Sequence, residues 1–217
     1  SAKVLEGVGN LHNIKERFLD YRDLIKHPDV DAVLITTPHA YHTEQTLVAL
    51  AQSKHVLVEK PMAMTLEDAD QIITAQQRTG LTVQVGYMRR YATAFVEAVS
   101  RVKTLDGIKL ARVHDVIGWN NLMVGPTSKV IRGDDVPQQV IDAGNQLAQE
   151  KIYAAIGEVP KDLNTTYNIL LGLSTHDISA MRELLGMPKG VLYAAQRSGG
   201  VYITAAFDYG DFVCHFE

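Results

Sequence analysis

Residues 56–61 read Val-Leu-Val-Glu-Lys-Pro, three apolar β-formers followed by an acid, a base and a proline. An apolar run this short, bounded by turn residues, is the pattern of a strand buried on both faces in a parallel sheet. Pro61 has no N–H for a ladder, so the strand ends there. Lys60, as the residue before a proline, is steered into extended backbone. A lysine is therefore expected at the carboxyl end of a central strand, the edge where open α/β sheets bind ligands. A partly desolvated amine at that edge can serve as an acid or a base.

The flanking segments repeat the theme. Asp31–Ile35 is a second apolar run, ending in Thr36-Thr37-Pro38, and Leu81–Val85 is a third, ending in Gly86-Tyr87-Met88. Between them, Leu47, Leu50 and Ala51 mark one face of a helix over about 43–52. Thr65-Leu66-Glu67-Asp68 opens a second helix as a capping-box-like start, and Gly80 stands where a helix C′ residue belongs. Asp20 caps a short helix, Tyr21–Lys26, before His27-Pro28. The order β-α-β-α-β with short loops predicts a doubly wound parallel sheet. Right-handed crossovers bring Thr37-Pro38, Glu59-Lys60-Pro61 and Tyr87-Met88-Arg89 to one edge. Gly7-Val8-Gly9 reads as a turn, because His12 stands where a dinucleotide fingerprint needs its third glycine. The first strand and phosphate loop are accordingly expected upstream, outside this sequence. Residues absent near Phe18–Tyr21 would account for a further missing strand.

After Arg90 the pattern changes. Tyr91, Phe95, Ala98, Val99 and Val102 mark an amphipathic helix, and Ile108–Ile117 reads as a long strand. A polar loop over 118–132 carries Trp119 and Asn120, and helices follow near 137–156 and 166–185. Val191–Gln196, Val201–Phe207 and Phe212–Phe216 read as strands, with a hairpin turn at Asp208-Tyr209-Gly210-Asp211. The expected organisation is an α/β Rossmann-like domain over residues 1–88, incomplete at its N-terminal side. An α+β domain with an open antiparallel sheet follows over residues 89–217, incomplete at its C-terminal side.

Composition narrows the class. Of 217 residues, 46% are hydrophobic and 21% charged, the balance of an ordinary soluble domain. The formal net charge of −4, without a Lys/Arg cluster, argues against a nucleic-acid binder. No apolar run reaches the roughly 18 residues of a membrane span. One cysteine, Cys214, excludes an internal disulfide and points to a cytoplasmic setting. Its place in a strand makes it a small core residue. His39 and His42 have no third ligand nearby in sequence, so no metal is expected.

Several of these segments together resemble the glucose-fructose oxidoreductase / inositol dehydrogenase (Gfo/Idh/MocA) family. Glu59-Lys60-Pro61 resembles its EKP motif, and residues 29–42 its strand followed by TP…H. Val85–Tyr91 is similar to its G-(F/Y)-M-R-R-(F/Y) segment, and Gly172–Gly186 to the helix bearing a substrate-facing histidine, here His176. The resemblance implies an NAD- or NADP-dependent dehydrogenase acting on a secondary alcohol of a sugar or cyclitol. It implies Lys60 and His176 as catalytic residues, and Thr37, Pro38, His42, Glu59, Lys60 and Met88 as cofactor contacts. Arg89, Trp119, Asn120 and His176 would face substrate, with Arg89 equally open to capping its strand and Trp119 and Asn120 to packing. Many members carry an aspartate four residues before the histidine. Here that position is Gly172, and Asp177, the immediate neighbour of His176, does not share its face. A non-redox enzyme that keeps NAD as a bound catalyst, such as a glycosidase, and a cofactor-binding regulator remain the alternatives. A homo-oligomer built on the open sheet is expected.

Overall fold

The computed structural model describes residues 1–118 and 121–217. Trp119 and Asn120 lie outside the described residues. The chain separates into two compact units, residues 1–85 with 117–155 and residues 86–116 with 156–217.

The first unit opens with α1 (Ala2–Leu11) and α2 (Tyr21–Lys26), followed by β1 (Ala32–Ile35), α3 (His42–Ala51), β2 (His55–Val58), α4 (Leu66–Thr79) and β3 (Val83–Val85). The three strands are parallel in the order β1-β2-β3, with Val33 opposite Val56 and Val58 opposite Val85. Strand order that steps one way sends successive right-handed crossovers to the same face. Accordingly Val33, Ile35, Val56 and Val58 bury against Ala49 and Leu50 of α3 and Ala75 of α4, with Ile25 of α2 completing the core. The alternate residues Leu34 and Leu57 remain 61% and 38% exposed. The helices that follow β1 and β2 thus cover one face of the described sheet. Alternation sets this: β1 and β2 each show exposed-buried-exposed-buried, rather than burial on both sides.

Capping chemistry sets the helix ends as the sequence implies. The Asp20 side chain accepts from Arg22 N, and Thr65 Oγ1 accepts from Asp68 N at 3.0 Å. Gly80 closes α4 in left-handed geometry at φ 69°. Thr65→Ala should therefore lower stability by about 1 kcal/mol, read from the chemical-denaturation midpoint.

Gly7-Val8-Gly9 is not a turn but the middle of α1. Its glycines serve close packing instead: a Cβ on Gly7 would meet Ile131, and one on Gly9 would meet the Arg17 guanidinium. Among the described residues no strand precedes β1. Beyond Ile117, α6 (Asn121–Thr127) leads to α7 (Gln138–Ile156). Most of α7 clusters with the first unit, although the sequence pattern attaches it to the second half. Lys151 Nζ donates to Asp68 Oδ2 at 2.6 Å in a largely buried pair, and Ile152 is buried beside it.

In the second unit, α5 (Thr93–Val102) precedes β4 (Leu110–Val113). Then α8 (Lys161–Ile169) and α9 (Thr175–Leu185) lead to β5 (Gly190–Arg197), β6 (Tyr202–Asp208) and β7 (Val213–Phe216). The sheet order is β4-β7-β6-β5. It is mixed rather than antiparallel, because β4 joins β7 in parallel. The strand predicted over 108–117 shrinks to Leu110–Val113, which stand in register with Val213–Phe216. The last pairing bonds run Glu217 N to Val113 O and Asp115 N to Glu217 O. The β6–β7 turn falls where the sequence indicates, with Asp208 Oδ1 accepting from Gly210 N. Cys214 is buried, its Sγ 3.7 Å from Met181 Sδ of α9.

Candidate functional site

The first unit gathers its chemistry at the carboxyl ends of β1 and β2. Glu59 N donates to Ile35 O at 2.9 Å, which extends the β1–β2 ladder to the strand ends and aligns Glu59-Lys60 with Thr36-Thr37. Both Glu59 and Lys60 are half-buried, and the Lys60–Pro61 peptide is cis. Lys60 N donates to Glu59 Oε2 at 3.3 Å. The two strand ends are joined by one side chain. His42 opens α3 and is 0% exposed, with Nδ1 2.8 Å from Pro61 O and Nε2 2.8 Å from Thr37 O. His42, expected from the sequence as a cofactor contact, spans two main-chain carbonyls and ties the Thr37-Pro38 turn to the Lys60-Pro61 turn. Both ring nitrogens are committed to carbonyls, which leaves neither for a metal. Thr37 Oγ1 donates to Gln45 Oε1 at 2.7 Å, and Pro38 leads into a 3-10 turn, His39–Tyr41.

His39 reports the charge at this edge. Burial pushes its pKa down first, and the neighbouring His42 and Lys60 push it further. So the Lys60 ammonium lies within electrostatic reach of His39, and the edge favours an electron-rich ligand. Thr43 Oγ1, in the first turn of α3, is buried without a protein partner. A half-buried lysine, an unpartnered hydroxyl and a helix start at the carboxyl edge of a parallel sheet fit the strand-end part of a dinucleotide site. Among the described residues no glycine-rich loop joins a strand to a helix for the pyrophosphate.

The second unit carries His176, Met88 and Arg89. His176 lies in the first turn of α9, 5% exposed, its ring edge-on to Tyr87 with centroids 6.2 Å apart. A π turn, Leu170–Ser174, precedes α9 and contains Gly172. Such turns insert surplus backbone and recur at functional positions. The residues after β3 form a 3-10 turn, Met88–Tyr91, and nearly every polar side chain there reaches α9. Tyr87 Oη lies 3.0 Å from Thr175 Oγ1, and Arg89 Nη1 donates to Asp177 Oδ2 at 2.8 Å. Arg90 pairs with Glu183 and donates to Ser179 Oγ at 3.3 Å. Arg89 is thus paired with α9. Met88 is exposed. The sequence offered no local sign of these pairs, because the partners stand 88 and 93 positions apart.

Residues 6–87 match the GFO_IDH_MocA family model, described as an oxidoreductase family with an NAD-binding Rossmann fold. The chain is 42% identical over 79 residues to inositol 2-dehydrogenase of Salmonella typhimurium, covering 36% of this chain and 24% of that one. It is 46% identical over 72 residues to 1,5-anhydro-D-fructose reductase of Ensifer adhaerens, covering 33% of this chain and 22% of the relative. The solved myo-inositol 2-dehydrogenase of Lactobacillus plantarum superposes with a TM-score of 0.68 at 18% identity, over 98% of this chain and 57% of that one. That likeness concerns the fold alone, and it extends over both units. The chain spans about a quarter of the length of the curated relatives it matches. No helix among the described residues is long and apolar enough to cross a membrane.

Proposed function

We propose that this chain is part of an NAD(P)-dependent dehydrogenase that oxidises a secondary alcohol of a sugar, cyclitol or related polyol. One observation carries the reading: a half-buried lysine follows the central strand of a unit that matches NAD-binding oxidoreductases. When bound, the nicotinamide cofactor supplies the hydride acceptor or donor. Lys60 hydrogen-bonds the reacting oxygen and takes its proton; protonated, it steadies the developing negative charge in the reverse direction. Glu59 orients the turn that carries the amine. The backbone of Thr37-Pro38 lines the cofactor edge, with His42 behind it as a brace. A role for His176 at the substrate rests on the likeness of residues 172–186 to the family's helix.

The test is a spectrophotometric screen of sugars and inositols against NAD and NADP with the full-length protein. Reduction of either cofactor by at least one polyol is expected. Release of sugar from glycosides without net cofactor reduction would replace the dehydrogenase reading with the non-redox one. Cofactor binding without turnover on any polyol would leave a regulator.

A further inference from the structure

In the second unit, two side chains of the segment after β3 flank His176 in register. Tyr87 Oη lies 3.0 Å from Oγ1 of Thr175, the residue just before the histidine. Arg89 Nη1 donates at 2.8 Å to Oδ2 of Asp177, the residue just after it. The Tyr87 ring also stands edge-on to the His176 ring, with centroids 6.2 Å apart and planes inclined by 80°. Edge-to-face is a preferred arrangement for such a pair. One half-buried tyrosine therefore walls the imidazole and, through its hydroxyl, holds the residue beside it.

Both the helix and the ring need an outside hold. A π turn, Leu170–Ser174, runs straight into α9, and no side-chain cap bond marks the junction at Ser174. The wider π rings interrupt the α-helical ladder where the histidine is about to be presented. The outer torsion of a histidine is broad, so the plane of its ring is set by what packs against it. His176 is 5% exposed, which leaves that choice to protein neighbours rather than to water.

We propose that Tyr87, pinned by Thr175, is a positioning residue that fixes the plane and bearing of the His176 imidazole. This rests on the reading of His176 as a substrate-facing group of a dehydrogenase. Tyr87 acts through the histidine. Arg89 secures the far flank at Asp177, and Arg90 secures the next turn of α9 through Ser179 and Glu183. Three side chains of one short segment thus grip the stretch of helix that carries the imidazole.

The experiment follows His176 in the full-length protein by NMR of ring-labelled histidine, its signals identified by their loss in His176→Asn. Tyr87→Phe and Thr175→Val each remove a hydroxyl, are close in shape and take away no aromatic ring. Each should shift or broaden the His176 ring signals to a similar extent, and the double variant should shift them no further. Loss of one neutral hydrogen bond should lower Tm by about 2–4 °C. A merely structural contact would show that loss of Tm alone, so His176 signals at their wild-type positions in both single variants overturn the positioning role. With the polyol that reduces the cofactor, Tyr87→Phe should lose about threefold in kcat. Tyr87→Leu, which also removes the ring, should lose about tenfold or more, with cofactor affinity unchanged. Full kcat in Tyr87→Leu likewise overturns the role. The NMR readout needs no turnover. A protein inert toward every polyol removes the dehydrogenase reading, while displaced His176 signals still establish the pin. An active enzyme with undisturbed signals keeps the dehydrogenase and loses the pin alone.

Discussion

Replacing Lys60 with alanine is expected to lower kcat by at least about a hundredfold, since a positioned general acid/base contributes on the order of 10²–10⁴ in rate. The loss should fall on kcat and kcat/KM together, the pattern of an interaction made in the transition state. NADH binding, followed by fluorescence titration, should survive, because the edge formed by Thr37-Pro38 and α3 does not depend on the amine. Lys60→Arg sharpens the test. It keeps the positive charge but cannot give up a proton at any working pH, so it should be nearly as slow as Lys60→Ala. A fast Lys60→Arg with a slow Lys60→Ala would assign the residue a purely electrostatic part. Near-wild-type turnover in both would remove Lys60 from the chemistry.

The second large effect concerns folding. His42→Leu is close in size but leaves the Pro61 and Thr37 carbonyls without the ring nitrogens that lie 2.8 Å from each. Pro61 is buried and Thr37 half-buried, so the loss of polar partners is not made good by water alone. At about 1–2 kcal/mol for each stranded carbonyl, the variant should be destabilised by roughly 2–4 kcal/mol in chemical denaturation. Because the same ring joins the turn before His39 to the turn that carries Lys60, kcat should fall as well, even in the folded fraction. An unchanged denaturation midpoint would show that the two turns hold their geometry without the imidazole.

Much of the first unit could be read directly from the chain, for identifiable reasons. Val33, Ile35, Val56 and Val58 are β-branched residues in short runs, and Asp20, Thr65 and Gly80 punctuate the helices between them. These are local signals, and the local answers follow. Lys60 was placed at its strand end by Pro61 alone. What escaped was decided by partners far away in sequence. The helical setting of Gly7 and Gly9 depends on Ile131 and Arg17. The direction of β4 depends on β7, and Leu110 carries no mark of whether its neighbour runs parallel or antiparallel. The brace at His42 could not be seen because main-chain carbonyls leave no trace in sequence. The pairing of Arg89 leaves no local sign because its acceptor, Asp177, is a helix residue 88 positions later.

The π turn before α9 has a consequence for any comparison made by counting residues. An α-helix rotates by about 100° per residue, so positions four apart point nearly the same way. Between Leu170 and Ser174 the coil is wound wider and the dial runs slow. The position four before His176 is Gly172, and the wider turn between them changes the bearing of a side chain placed there relative to the imidazole. An aspartate introduced by Gly172→Asp would therefore meet the imidazole at an angle set by the π turn rather than by a regular α-helix.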